Sequence, residues 1–222
     1  EIAVDRSAMG GAGFNLNIQT LSLNAEFGEN WNKLPIMGIS GAGKSTLMNI
    51  MAAIEWPHGP GSRIEWIFAD GNRFEWGSDG PTPAQLFKLR RNYFGYAFQA
   101  STLIPHLNIS QNLTYPLEIR GVKKSIAIEK MEKVIRAISM SSIDNLINRY
   151  PGELSGGELQ RIALMQSMIY DPAVMFADEP TGSLDPETRK TVMRVLTDWV
   201  DEDPTSRMLI WVTHHENDPQ AH

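Results

Sequence analysis

The feature that most constrains this chain is a run of eight residues, Gly-Ile-Ser-Gly-Ala-Gly-Lys-Ser, at positions 38–45. Its spacing is G-x-x-x-x-G-K-[ST], with an apolar stretch that includes Leu34 and Ile36 before it. Leu47 and Ile50 follow at helical spacing. A buried strand, a glycine-rich turn and a helix in this order predict a loop built to hold phosphate groups.

Each position in this loop has a chemical reason. The glycines allow backbone N–H groups to turn towards phosphate oxygens, and the helix that begins near Lys44 adds its positive N-terminal end. Lys44 reaches the β- and γ-phosphates, and the Ser45 hydroxyl joins the ligands of Mg²⁺. We therefore predict that the loop binds a nucleoside triphosphate through Gly38, Ser40, Gly41, Ala42, Gly43, Lys44, Ser45 and Thr46.

The rest of the chain has the pattern of an α/β fold. Two short apolar runs, at 173–177 and 208–212, are separated by helical sequence and predict buried parallel strands. Two apolar runs at 64–68 and 74–76 surround Asp70-Gly71 and predict an antiparallel β-hairpin.

Helical periodicity is concentrated in the second half of the sequence. The spacing of Ile128, Met131, Ile135 and Ile138 predicts one buried face of a helix near 125–139. A second helix carries its apolar face on Val192, Val195, Leu196 and Trp199. Asp185 is its predicted N-cap, and Pro186 occupies its first position.

Two acidic residues, Asp178 and Glu179, follow the apolar run 173–177 directly. A carboxylate at the end of a buried strand can hold Mg²⁺ in a phosphate-loop protein. The neighbouring Glu179 can act as a general base towards a water molecule that attacks the γ-phosphate.

A helix start at residues 155–158 has the sequence Ser-Gly-Gly-Glu. Ser155 and Glu158 have the spacing of a capping box, in which each side chain satisfies a backbone donor of the other residue. A cap alone does not require Gly156 and Gly157, which each destabilise a helix by roughly 1 kcal/mol relative to Ala. The glycines indicate close approach to another group, and a helix N-terminus suits a second phosphate contact.

Composition excludes several other classes of protein. The 222 residues carry a net charge of −6, which argues against a protein that coats nucleic acid. No apolar run approaches the roughly 20 residues needed to span a bilayer, so the chain alone forms no channel. Cysteine is absent, which fits a reducing compartment and excludes thiolate metal sites.

The motifs, taken in order, resemble those of the nucleotide-binding domain of ABC transporters. Residues 38–45 resemble its Walker A motif, 154–158 its signature and 173–179 its Walker B motif with the catalytic glutamate. The remaining members of the series are also present. They are Gln99 as the Q-loop, Ser183-Leu184-Asp185 as the D-loop and His214 as the switch histidine. Phe14, the nearest aromatic residue upstream of the loop, is the candidate for stacking on the adenine, and its alternative is a strand or core residue.

The resemblance implies a P-loop NTPase fold with a RecA-like parallel sheet, an antiparallel β subdomain and a helical signature subdomain. The whole chain, 1–222, is then one ATPase domain, with its core at 1–98 and 166–222 and its helical subdomain at 99–165. Catalysis would fall to Glu179, His214 and Lys44, and Mg²⁺ binding to Ser45, Gln99 and Asp178.

The implied partners are a second copy of the domain and transmembrane permease subunits at the cytoplasmic face of the inner membrane. Two domains would pair head to tail around two ATP molecules, with Ser155, Gly156, Gly157 and Glu158 touching the ATP of the partner and Asp185 at the interface. Closing and opening of this dimer would move the permease. The runs 103–112 and 176–185 resemble the bacterial branch for lipoprotein release, macrolide efflux, antimicrobial-peptide resistance and cell division.

Three positions depart from the family pattern. Glu158 stands where most members carry Gln, and we expect activity to be retained because the capping box turns the carboxylate away from phosphate. His215 follows His214 where an acid is common, and Phe14 replaces a usual Tyr.

The same motifs serve other functions. A mechanotransmission ATPase of the cell-division type, which moves a membrane protein without carrying a substrate, would look alike in sequence. A soluble ABC ATPase of DNA repair or translation would carry coiled-coil, zinc or second ATPase insertions, and a P-loop kinase would lack the signature and switch histidine.

Overall fold

The chain folds into a parallel sheet flanked by helices. The structure, a computed structural model, describes residues 2–5, 15–18, 32–39, 41–57, 61–98, 102–137, 146–182 and 184–213. The strands are β1 (Ile2–Asp5), β2 (Asn15–Ile18), β3 (Lys33–Ile36), β4 (Ile64–Ile67), β5 (Arg73–Trp76), β6 (Phe94–Ala97), β7 (Val174–Asp178) and β8 (Met208–Val212). The α-helices are α1 (Lys44–Met51), α2 (Pro83–Lys88), α3 (Ile109–Ile119), α4 (Lys124–Ala137), α5 (Gly156–Met168) and α6 (Pro186–Glu202). A π-helical turn (Leu89–Tyr93) follows α2, and a 3-10 turn (Pro151–Glu153) precedes α5.

The core is a four-stranded sheet in the order β3-β8-β7-β6, with every neighbouring pair parallel. The prediction of buried parallel strands at 173–177 and 208–212 is confirmed, and both strands are almost completely buried. Helices cover both faces of the sheet, which explains why these strands are apolar throughout rather than alternating.

Two antiparallel pairs accompany the parallel sheet. β4 and β5 form the predicted hairpin around Asp70-Gly71, with Trp66 paired to Phe74. β1 pairs with β2. Buried aromatic side chains of the hairpin, Phe68 and Phe74, pack against Phe94 and Phe176 of the parallel sheet in one apolar cluster.

A second apolar cluster holds the helical part of the chain together. It contains Leu113 of α3, Ile135 of α4 and Met165 of α5, all completely buried. α4 confirms the predicted helix near 125–139, but the predicted face is partly wrong because Ile128 is 37% exposed. Ala127, one position earlier, is buried instead, and Ile138 lies outside the described residues.

A proline inside α3 creates a link to α5. Pro116 has no N–H, so the carbonyl of Asn112 loses its helical partner one turn earlier. Gln166 of α5 fills that gap, because its Nε2 donates to the Asn112 carbonyl at 2.8 Å. The hydroxyl of Thr102 in turn donates to Oε1 of Gln166 at 3.3 Å. One glutamine therefore joins α5 to α3 and to the segment that precedes α3.

Arg120, at the end of α3, ties the helical part to the parallel sheet. Its guanidinium lies 3.7 Å from the ring centroid of Tyr170, whose hydroxyl donates to the carbonyl of Phe94 in β6. Arg120 also donates to the carbonyls of Arg90 and Arg91 in the π-helical turn.

The close packing between β6 and the end of α5 yields a stability prediction. A Cβ atom at Gly95 would lie 2.7 Å from Cγ of Pro172 and 2.9 Å from the carbonyl oxygen of Ser167. Gly95→Ala should therefore lower the free energy of unfolding by about 1–3 kcal/mol, as overpacked cores do. Urea unfolding followed by circular dichroism measures the change.

Gly152→Ala is the matched control, because a Cβ there would meet no atom of the chain within 4 Å. It should leave the unfolding midpoint nearly unchanged. Equal midpoints for the two variants would mean that β6 can shift away from Pro172 without loss of packing.

Candidate functional site

The glycine-rich loop joins β3 to α1 and takes a conformation that its sequence requires. Gly41 and Gly43 have φ angles of 79° and 86°, in the left-handed region that glycine occupies without strain. Gly43 is the N-cap of α1 and has no side chain to bond the first helical amides. The positive end of α1 is therefore left to an anion.

Lys44, the first residue of α1, is 9% exposed and points back into the loop. Its Nζ donates to the carbonyl oxygens of Gly38 and Ile39 at 2.8 and 2.9 Å. These bonds hold the ammonium inside the curve of the loop, where it can move to a bound phosphate without leaving the site.

A hydrogen bond connects the loop to the end of β7. Ser45 Oγ donates to Oδ1 of Asp178 at 3.0 Å, although 133 positions separate the two residues. Burial raises the pKa of the Asp178 carboxyl, the neighbouring charge of Glu179 raises it further, and the Ser45 bond and Lys44 lower it. A hydroxyl and a half-buried carboxylate side by side are oxygen donors of the kind that Mg²⁺ takes.

Glu179, the acid next to Asp178, has a strained backbone conformation. Glu179 has a φ of 45°, a left-handed conformation that costs a non-glycine residue of order 1–3 kcal/mol. Its N–H donates to the Val212 carbonyl of β8 at 3.1 Å, and its own carbonyl accepts from the Gly182 N–H at 3.1 Å. The carboxylate lies over Gly182, where a Cβ atom would be 3.2 Å from Oε2. The two adjacent acids thus have different neighbours, Gly182 for Glu179 and Ser45 for Asp178.

The predicted capping box at the start of α5 is present. Oε2 of Glu158 accepts from the N–H and the hydroxyl of Ser155, both at 2.8 Å, and the Glu158 N–H donates back to Ser155 Oγ at 3.3 Å. The bond from the Ser155 N–H is the largest cause of a lowered pKa of the Glu158 carboxyl. Glu158 therefore carries its full negative charge at neutral pH.

The first turn of α5 lies beside the start of α6. A Cβ atom at Gly157 would contact Thr188 and Leu184 at 3.7 and 4.0 Å, whereas one at Gly156 would meet no atom of the chain within 4 Å. Gln160 donates to the carbonyl of Pro180, just after the acidic pair. Asp185 caps α6 as predicted, accepting from the N–H groups of Glu187 and Thr188 at 3.1 and 3.0 Å.

Some of the predicted site residues lie outside the described residues: Phe14, Ser40, Gln99, Ser183 and His214. Their roles stay predictions. The structure also adds two residues that sequence reasoning missed. Gln160 links α5 to Pro180, the residue after the acidic pair, and Arg149 contacts Glu158. Neither belongs to a spaced motif, so only their contacts in the folded chain identify them.

The described residues contain neither a cluster of metal ligands nor a membrane-spanning helix. Within residues 2–213, apart from the gaps stated above, no three His, Asp or Glu side chains come together as metal ligands. Over the same residues, no helix is both long enough and apolar enough to cross a bilayer.

Comparison with known proteins gives a consistent picture. A family model described as ABC transporter matches residues 18–182. The lipoprotein-releasing system ATP-binding protein LolD of Hyphomonas neptunium is 36% identical over 202 residues, which are 91% of this chain and 82% of LolD. The macrolide export ATP-binding/permease protein MacB of Burkholderia thailandensis is 32% identical over 200 residues, 90% of this chain. The chain spans only 28% of the length of MacB.

A solved structure matches the fold over almost the whole chain. It is the ATP-binding cassette MJ0796, in a dimeric post-hydrolysis state bound to ADP and Pi. The TM-score is 0.78 and the identity 26%, with 99% of this chain and 88% of that chain covered.

The raised pKa of Asp178 predicts how its replacement changes stability. Folding disfavours the ionised carboxylate, so Asp178 lowers stability at neutral pH, and this penalty disappears as the pH falls below the unfolded value of 3.8. Asp178→Asn, which keeps an acceptor for Ser45, should raise the midpoint of thermal unfolding of the nucleotide-free chain at pH 7. The gain should shrink towards pH 4, as a pH series of thermal melts can measure.

Asp185→Asn provides a control of opposite sign. Hydrogen bonds from Thr188 lower the pKa of the Asp185 carboxyl, so its charge stabilises the fold above the unfolded pKa and is lost below it. This variant should lower the midpoint at pH 7. A lower midpoint for Asp178→Asn as well would mean that Ser45 and Lys44 outweigh the burial of the carboxylate.

Proposed function

The chain belongs to the ABC transporter family, and from that membership we propose that it is the ATP-binding and ATP-hydrolysing subunit of a membrane transporter. The observation that carries the proposal is the Ser45–Asp178 hydrogen bond, with Glu179 directly beside it. It brings a phosphate loop, an oxygen donor pair and a base to one edge of the sheet.

ATP would bind with its β- and γ-phosphates in the loop 38–45. The amides at the start of α1 and the Lys44 ammonium provide the positive charge, since Lys44 needs only to exchange the Gly38 and Ile39 carbonyls for phosphate oxygens. Phe14 is the proposed stacking partner of the adenine.

Mg²⁺ fits the donors at the end of β7. Ser45 Oγ and Asp178 Oδ1 are already 3.0 Å apart, and Gln99 is the third proposed donor. When bound, the ion would neutralise phosphate charge and relieve the unfavourable burial of the Asp178 carboxylate.

Glu179 would take a proton from the water that attacks the γ-phosphate. Its carboxylate lies over Gly182, whereas the Asp178 carboxylate accepts from Ser45, so the two acids have different neighbours. The strained φ of Glu179 supports this role, because backbone strain persists where a side chain must be held in one direction. His214 is the proposed contact of the γ-phosphate from the end of β8.

The start of α5 would contact the ATP of a second copy. Ser155 offers a hydroxyl at a helix N-terminus, and the open space in front of Gly156 leaves room for a group from outside the chain. MJ0796 was solved as a dimer with ADP and Pi, which supports a dimer here. Asp185 at the N-terminus of α6 would face the same interface.

The transporter role extends to partners in the membrane. LolD and MacB are described as a lipoprotein-releasing ATP-binding protein and a macrolide export protein with a permease part. We propose that this chain lies at the cytoplasmic face of the inner membrane, with permease subunits docked between the core and the helical subdomain 99–165. The separate apolar cluster of α3, α4 and α5 supports treating that part as a subdomain.

Replacement of the proposed base tests the function. Glu179→Gln should lower the ATPase rate by at least about 100-fold, the scale of a general base, while ATP binding is kept. ATP then persists at the interface and keeps two chains together. The molar mass of the Glu179→Gln variant in solution should therefore double when Mg²⁺-ATP is added. Light scattering after size-exclusion chromatography measures the mass, and phosphate release measures the rate.

Glu129→Gln is the control, since Glu129 is an exposed acid on α4 away from the site. It should change neither rate nor mass. Loss of ATP binding in Glu179→Gln would contradict the assignment of a base, and a phosphoryl transfer product would indicate a kinase instead.

A further inference from the structure

The carboxylate of Glu158 lies in the first turn of α5, where the proposed phosphate contact is made. A negative charge at this place repels a polyphosphate unless another group offsets it. Oε2 is taken up by the N–H and hydroxyl of Ser155, but hydrogen bonds from neutral donors leave the net charge of the carboxylate in place. The other oxygen, Oε1, faces the guanidinium of Arg149 at 3.4 Å.

Arg149 is held in position by its backbone. Its N–H donates to the Leu146 carbonyl at 3.1 Å, and its carbonyl accepts from the N–H of Ile109 at 2.9 Å, at the N-terminus of α3. The side chain then reaches across the 3-10 turn before α5. There a second guanidinium nitrogen donates to the carbonyl of Glu153.

One arginine thus binds both the turn that leads into α5 and the acid in its first turn. Arg149 and Glu158 are partly exposed, with 36% and 27% of their side chains accessible. Exposed pairs of this kind contribute little to fold stability. The pair matters instead for anion binding at the N-terminus of α5. The positive charge of Arg149 offsets the negative charge of Glu158 beside the proposed phosphate contact at Ser155 and Gly156.

We propose that Arg149 is a positioning residue of the signature turn, which offsets the charge of Glu158 and holds residues 153–158 so that the N-terminus of α5 can receive a nucleotide polyphosphate. The proposal rests on the proposed function, since it requires ATP to meet this helix end in a dimer. Arg149 touches neither the nucleotide nor the reacting atoms in this role.

A double-mutant cycle in the Glu179→Gln background tests the proposal. Arg149→Ala should raise the ATP concentration for half-maximal dimer formation by roughly tenfold, as one uncompensated charge near phosphate would. Adding Glu158→Gln should remove most of this effect, because no charge then needs an offset. Arg149→Lys, which keeps the charge, should fall between the parent and Arg149→Ala.

Arg136→Ala is the matched control. Arg136 also pairs with a glutamate, Glu132, but on the exposed face of α4, and its loss should leave dimer formation unchanged. The salt dependence of dimer formation should rise in Arg149→Ala, a change that a purely structural role would not produce.

The outcomes are distinguishable. If the Glu179→Gln parent itself forms no ATP-dependent dimer, the proposed function fails and this inference fails with it. If the parent dimerises and Arg149→Ala matches it, only the role of Arg149 is wrong. If Arg149→Ala weakens the dimer and Glu158→Gln does not restore it, Arg149 acts through the Glu153 carbonyl as a structural clamp, and charge compensation is overturned.

Discussion

The hydrogen bond between Ser45 and Asp178 depends on the strand order of the sheet. Because all four strands run parallel, their carboxyl ends lie at one edge, and the loop after β3 can meet the end of β7 across β8. β8 lies between β3 and β7 and fixes the distance between them. Its last residue, Val212, accepts from the Glu179 N–H, and the Thr213 N–H donates to the Ile36 carbonyl of β3. The glycine-rich loop, Asp178 and Glu179 therefore keep their relative positions through backbone hydrogen bonds as well as through side chains.

The acidic pair places two unfavourable features at this edge of the sheet. Burial of the Asp178 carboxyl raises its pKa and disfavours its ionised form, and Glu179 adopts a left-handed backbone conformation that is uncommon for residues other than glycine. Both features oppose folding, and a ligand that binds only the folded chain at this edge would offset their cost. Gln160 adds a direct hydrogen bond from α5 to the Pro180 carbonyl, so α5 is coupled to the residue that follows the strained Glu179.

The sequence predicted those parts in which a local pattern determines the structure. The apolar runs of β7 and β8, the Asp70-Gly71 hairpin, the cap of α6 at Asp185 and the capping box at Ser155 are all local, and each is confirmed. Features that depend on contacts between distant parts of the chain were harder to predict. Periodicity alone predicted that Ile128 lies on the buried face of α4, but Ala127 lies there instead. Side-chain size and the neighbouring helices decide how the helix is rotated about its axis, and the periodicity of one segment does not contain that information. Arg149 and Gln160 could not be predicted, since their partners are fixed only by how α5 packs.

The proline inside α3 has a consequence for how the helical part holds together. A proline usually weakens a helix at the carbonyl it leaves open, but here Gln166 of α5 occupies that carbonyl and also accepts from Thr102. The Asn112 carbonyl consequently finds its hydrogen-bond donor in α5 instead of within α3. With this bond and the apolar cluster that they share, the two helices should open to solvent together rather than one after the other.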